Sequence, residues 1–166
     1  SMRLRRTCRG PCATGSGLAI SRNNIRDNAV TAGETCPLCR SQNEKVLWRD
    51  ATRRIVLVGD PGYPGFCRVV WNAHVREMTD LAPDDRALLM NTVFTVEQVL
   101  RDQLRPDKIN LALLGNQVPH LHWHVIPRFR DDAHFPDPIW APARRAPRAH
   151  SVDIQALQTA LAAGLK

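Results

Sequence analysis

Pro119-His120-Leu121-His122-Trp123-His124-Val125-Ile126-Pro127-Arg128 alternates imidazole with large apolar side chains at a period of two. That period predicts a β-strand with three histidines on one face and Leu121, Trp123 and Val125 turned to the core. At ~3.3 Å rise per residue, neighbouring histidines stand ~6.6 Å apart and His120 lies ~13 Å from His124. A straight strand could hardly bring all three to one metal ion. Adjacent members can share a ligand, or each can take a separate task along an extended anion such as a phosphate chain. A lone histidine in a strand is ordinarily a surface group or a hydrogen-bonded core residue. Three at alternate positions, backed by bulky apolar side chains, point to a site.

Working outward, residues 108–114 read as a fourth strand and 115–119 as its connection to the histidine strand. Upstream, Val46-Leu47-Trp48, Arg54-Ile55-Val56-Leu57-Val58 and Phe66-Cys67-Arg68-Val69-Val70-Trp71 form an antiparallel meander. Its second turn is the dense Asp60-Pro61-Gly62-Tyr63-Pro64-Gly65. A helix is predicted from 83 to about 104, with Thr79 or Asp80 as cap, Asp84 and Asp85 at its positive end, and Leu88, Val93, Val96 and Leu100 as its buried stripe. The Pro-rich stretch 131–150 should wrap the surface without regular structure, and Ser151 should cap a short last helix to about residue 163. The order predicts an α+β domain: a five-stranded antiparallel sheet with one long helix and one or more short ones. The boundaries read as a basic extension over 1–34, a domain over 35–140, and a basic Pro-rich segment with a short helix over 141–166.

The chain has 166 residues and 43% hydrophobic content, enough for one core. Its net charge of +7 is not spread evenly. Residues 1–34 carry six arginines against Asp27 and Glu34, a net +4, and Arg144, Arg145 and Arg148 add +3. The body is therefore neutral, which argues against a module that binds specific nucleic acid through a basic face. No apolar run approaches the ~20 residues needed to span a bilayer. The expectation is a cytoplasmic protein with no membrane partner. In such a chain Cys36-Pro37-Leu38-Cys39 reads as a metal or redox pair rather than part of a disulfide framework.

The histidine strand resembles the signature of the histidine triad (HIT) family, His-x-His-x-His followed by two apolar residues, which residues 120–126 match in full. The likeness extends to Asn110, Gly115-Asn116-Gln117-Val118, Pro64-Gly65 and Asn72-Ala73-His74, covering roughly residues 36 to 140. The resemblance implies a HIT-like five-stranded sheet and a homodimer that joins two sheets. It also implies a nucleotide substrate, cleaved as a dinucleoside polyphosphate or nucleoside phosphoramidate at the α-phosphate, with His122 as nucleophile. His124 would contact the phosphate and assist the leaving group, and His120 with its backbone would hold His122 in orientation. Transfer to a second phosphate, or nucleotide binding without catalysis, are the alternatives.

Histidine suits the task because its ordinary pKa near 6.5 leaves a neutral ring nitrogen at neutral pH. Attack on phosphorus then divides one hard displacement into two easier ones. Uncharged donors must face the phosphate, and Asn110, Gly115, Asn116 and Gln117 are the candidates. By the resemblance, Asp60 falls near the place of a ribose contact, though it is equally a turn former, and Phe66 replaces a histidine near the base. The resemblance also completes a structural zinc site from Cys36 and Cys39 with His74 and His120; a four-cysteine site with Cys8 and Cys12, or an empty pair, are the rival readings. No cofactor is required for the chemistry itself. Trp140 is either plain packing or a reach into a neighbouring subunit's pocket.

Overall fold

The computed structural model describes residues 35–40, 42–147 and 150–165. The basic extension over 1–34, with Cys8 and Cys12, and Arg148 lie outside them. Among the described residues the strands are β1 (Lys45–Arg49), β2 (Arg53–Leu57), β3 (Cys67–Trp71), β4 (Lys108–Leu113) and β5 (His122–Arg128). They form one sheet in the order β1-β2-β3-β5-β4, with every neighbouring pair antiparallel. The α+β class and five-stranded antiparallel sheet expected from the sequence are what the chain adopts.

Local chemistry makes the meander. Asp50 Oδ1 accepts the Thr52 N–H at 2.7 Å and the Arg53 N–H at 2.8 Å, which turns β1 into β2. Between β2 and β3, Gly65 sits at φ 81°, and a Cβ there would stand 2.4 Å from Leu104 Cδ1, so the turn needs glycine for conformation and for space.

The long helix α1 spans Pro83–Leu104, with Pro83 in its first turn as predicted. Its cap is Ala82 rather than Thr79 or Asp80. Those two residues belong to a preceding 3-10 turn, Met78–Asp80, in which the Asp80 carboxylate accepts the Glu77 N–H at 3.0 Å. The buried stripe is Leu89, Val93, Val96 and Leu100; Leu88 is exposed, correcting the expectation. One residue is ~100° of helix rotation, so Leu88 and Leu89 cannot share the centre of one face. The border of the stripe is polar, where Arg53 Nε donates to Thr92 Oγ1 at 2.6 Å.

The last helix, α2 (Ile154–Gly164), starts later than expected, capped by Asp153 and not Ser151. Asp153 Oδ1 accepts the Ala156 N–H at 3.0 Å. Leu157 and Leu161, one turn apart, enter the core formed by α1 and one face of the sheet, and β5 adds Leu121 and Val125 from just before and within it. Burying one face of all five strands and two helix stripes around those residues is the main stabilisation.

The other sheet face is covered by irregular chain. Cys36 and Leu38 pack on Val56 and Val70, while Tyr63 and Phe66 pack on Ile126. Residues 129–147 have no helix or strand, as predicted. They are tied to the end of β5 by Arg128 and Asp132, whose side chains are both 2% exposed. Asp132 accepts Arg128 Nε at 2.7 Å, Arg128 Nη2 at 3.0 Å, and the His134 and Phe135 N–H groups at 2.8 and 2.7 Å. Burial pushes the Asp132 carboxyl up, but these bonds outweigh it and hold it below the usual range.

Candidate active site

Because β5 alternates, His122 and His124 lie on the face away from the helices. His122 stands opposite Val70, and His124 lies between Arg68 on β3 and Ala112 on β4. Both imidazoles are 6% exposed, with ring centroids 4.8 Å apart. They form one wall of a cavity of about 430 Å³, closed by Arg68, Gly115, Asn116, Gln117 and Trp140. The Trp140 ring meets His124 edge-on at 5.5 Å within its own chain, and buried Phe66 lies 5.5 Å from the same ring.

His120 lies just outside the strand that carries the other two histidines. It precedes β5, where Leu121 N–H donates to Val75 O at 2.8 Å and Trp71 N–H donates to Leu121 O at 3.1 Å. The backbone here is held by the segment after β3, so the strand geometry that would align three rings begins only at His122. The His120 carbonyl accepts His122 Nδ1–H at 2.6 Å. A carbonyl can only accept, so the proton of neutral His122 is on Nδ1 and the lone pair on Nε2.

Electrostatics keep both rings neutral at pH 7. Burial lowers the pKa of His122, the His120 carbonyl works against that, and the Arg68 charge lowers it further. Burial, then His122 and Arg68, push His124 down to about 4. Among the described residues, His124 Nδ1 and Arg68 Nε are both buried without a hydrogen-bond partner.

Arg68 is the residue that sequence reasoning missed. It is one polar residue in an apolar strand, and only the pairing of β3 with β5 puts it beside His124. Asn110 and Asp60 are not brought to this cavity. Asn110 Oδ1 accepts Arg128 Nη1 at 2.6 Å and borders an adjoining hollow with Ile126, Pro138 and Trp140. Asp60 Oδ1 accepts the Gly62 N–H at 2.8 Å, the turn-forming role.

Cys36, Cys39, His74 and His120 converge, with their donor atoms within 4.8 Å of one another. His120 Nδ1 lies 3.4 Å from both thiols, and His74 Nδ1 lies 3.3 Å from Cys39 Sγ. Tetrahedral zinc, with bonds of ~2.3 Å to sulfur and ~2.1 Å to nitrogen, would separate such atoms by about 3.6 Å. His120 Nε2–H donates to Trp71 O at 2.6 Å, which leaves Nδ1 unprotonated toward the thiols. Burial, then Cys36, push the Cys39 thiol up to about 11, a cost that a central cation would reverse. The donor set fits zinc in number, type and tautomer.

Comparison with known proteins places this geometry among relatives. The HIT domain family model matches residues 40–131. An AP-4-A phosphorylase from Mycobacterium tuberculosis is 35% identical over 81 residues, 45% of this chain and 42% of the relative. A bis(5'-nucleosyl)-tetraphosphatase (asymmetrical) from Schizosaccharomyces pombe is 31% identical over 77 residues, 43% of this chain and 42% of the relative. The matched part thus spans less than half the length of these curated relatives. A histidine triad protein from Bradyrhizobium japonicum superposes with TM-score 0.63 at 29% identity, covering 76% of this chain and 94% of that one.

Proposed function

The chain belongs to the HIT domain family, and from that premise we propose that it is a nucleotide hydrolase acting through a covalent nucleotidyl-His122. Its substrate is a dinucleoside polyphosphate or a nucleoside phosphoramidate, cleaved at the α-phosphate. The observation that carries this reading is the 2.6 Å bond from His122 Nδ1–H to the His120 carbonyl, which leaves Nε2 free to attack. Nε2 bonds to phosphorus as the bond to the leaving group breaks. His124 gains basicity as the anionic phosphate enters, takes up a proton and passes it to the leaving group. Water then attacks the phosphoramidate, releasing nucleoside monophosphate and restoring His122. Gly115, Asn116 and Gln117 supply uncharged donors on the facing wall.

Cys36, Cys39, His74 and His120 would hold a structural zinc that takes no part in bond breaking. When bound, the ion supplies a fixed anchor for the backbone just before β5. His120, as one of its ligands, orients His122 through its carbonyl. The same reading includes a homodimer; in its support, β4 is the last strand of the sheet and its outer edge is unpaired among the described residues.

A second reading, transfer of the nucleotidyl group to inorganic phosphate, is favoured by the similarity to the Mycobacterium tuberculosis AP-4-A phosphorylase. Replacing His122 by alanine should abolish turnover of diadenosine tetraphosphate and the labelled nucleotidyl adduct. Full activity in that variant would overturn the mechanism, while phosphate-dependent release of a nucleoside diphosphate would select transfer over hydrolysis.

A further inference from the structure

We propose that Arg68 is a substrate-binding residue of this cavity, its guanidinium holding a phosphate oxygen beyond the group that His122 attacks. The inference deepens the reading of His122 as a phosphorus nucleophile and rests on it. It assigns the preferred substrate class: nucleotides whose leaving group is itself a phosphate chain.

The first support is a contrast among the arginines of the sheet. Arg53 is paired with Asp50, Arg54 with Glu44 at 2.6 Å and the Leu38 carbonyl at 2.6 Å, and Arg128 with Asp132 at 2.7 Å. Each buried charge thus has an acceptor, as the cost of desolvation requires. Arg68, half-buried, has no such acceptor: among the described residues no carboxylate forms an ion pair with it, Glu44 acts on it only at a distance while paired with Arg54, and its Nε is buried without a hydrogen-bond partner. Arg86 Nε on α1 is likewise unpartnered but lies away from the cavity, so it is the position of Arg68 that makes it a donor for a ligand.

The second support is where that donor points. Arg68 lines the cavity that holds His122 and His124, and it is the cross-strand partner of His124. The His124 side chain is 6% exposed and its Nδ1 is likewise unpartnered, so two unsatisfied polar groups border the same space. Among the described residues no acidic side chain lines that space to compete for them.

The third support is spacing. His122 pairs with Val70 and His124 with Arg68, so the arginine lies one pleat repeat along the sheet from the nucleophile, ~6.6 Å of backbone. Gly115, Asn116 and Gln117 already offer donors to the reacting phosphoryl group from the β4 side. A guanidinium on the β3 side, displaced along the strands, suits a second anionic group, and its fork of N–H donors matches phosphate oxygens.

A purely structural arginine and a ligand-binding one differ in what their removal does. Substituting Arg68→Met in the ligand-free protein removes a half-buried charge that has no ion-pair partner among the described residues, so the thermal midpoint should hold or rise. Inorganic tripolyphosphate, titrated calorimetrically, should bind the parent protein and lose roughly 10- to 100-fold affinity in Arg68→Met, the worth of a charged hydrogen bond. Arg68→Lys should recover part of it. With diadenosine tetraphosphate, kcat/KM should fall by a similar factor, whereas an adenosine phosphoramidate with an uncharged amine leaving group should change less than about threefold. Tripolyphosphate affinity and kcat/KM within about threefold of the parent in Arg68→Met would overturn the proposal while leaving the role of His122 intact. Equal losses for both substrates would overturn it too, by placing Arg68 on the transferred group. Loss of tripolyphosphate binding in a protein that turns over neither nucleotide would uphold Arg68 and sink the hydrolase reading instead.

Discussion

Replacing Asp132 by alanine tests what holds the covering segment over the site. The carboxylate accepts five hydrogen bonds: from Arg128 Nε and Nη2 at 2.7 and 3.0 Å, and from the Phe129, His134 and Phe135 N–H groups at 3.3, 2.8 and 2.7 Å. Its removal strands the Arg128 charge at 2% exposure, although Asn110 Oδ1 at 2.6 Å and the Asp137 carbonyl at 2.8 Å still accept from it. Breaking one side of a buried pair costs about 3–5 kcal/mol, and the two remaining acceptors argue for the lower end. Against a total of roughly 5–15 kcal/mol, that is a large share. At roughly 3 °C per kcal/mol for a chain of this size, the melting temperature should fall by about 10 °C, read by circular dichroism. Replacing both partners, Arg128→Met with Asp132→Leu, should cost less than Asp132→Ala alone, because no charge is stranded. A single variant melting within about 3 °C of the parent would refute the assignment of this pair as the anchor. A double variant as unstable as the single one would place the cost in packing rather than charge.

Acid should act on the site in a defined direction. Burial lowers the pKa of His122 and takes His124 to about 4, so the unfolded chain binds these protons first as pH falls below the ordinary histidine value of about 6.5. Stability should therefore hold above that value and decline from about pH 6.5 toward 4. kcat/KM should be flat near neutrality and drop on the acid side as His122 Nε2 becomes protonated; an acid limb centred above pH 7 would contradict the lowered value. Zinc content is the other test. Protein prepared without chelator should carry about one zinc per chain by elemental analysis, as one four-ligand site binds one ion. Cys36→Ser and Cys39→Ser should lose the metal and melt lower. Metal-free protein whose melting point ignores chelator would remove the zinc site.

Much of the fold was legible because its signals are local. Period-two alternation in β5, the Asp60–Gly65 turn, and Pro83 in the first turn of α1 are signals carried by a few adjacent residues. The errors fall where packing chose between locally equivalent residues. Ser151, Thr79 and Asp80 are good cap residues by type, and the choice of Asp153 and Ala82 was made by where each helix must meet the core. Leu88 and Leu89 are chemically the same, and only the helix rotation fixed by Val93, Val96 and Leu100 decides which is buried.

The sequence by itself determined that two imidazoles at alternate positions, His122 and His124, would share a sheet face, because covalent geometry alternates side chains along any strand. Tertiary structure brought His120 to Cys36, 84 positions away, a meeting that only the family resemblance had implied, and set Arg68 beside His124. Those outcomes depend on the register between strands far apart in the chain. A one-residue slip would turn Arg68 to the opposite face, and no local pattern within β3 records which register the packed core will select.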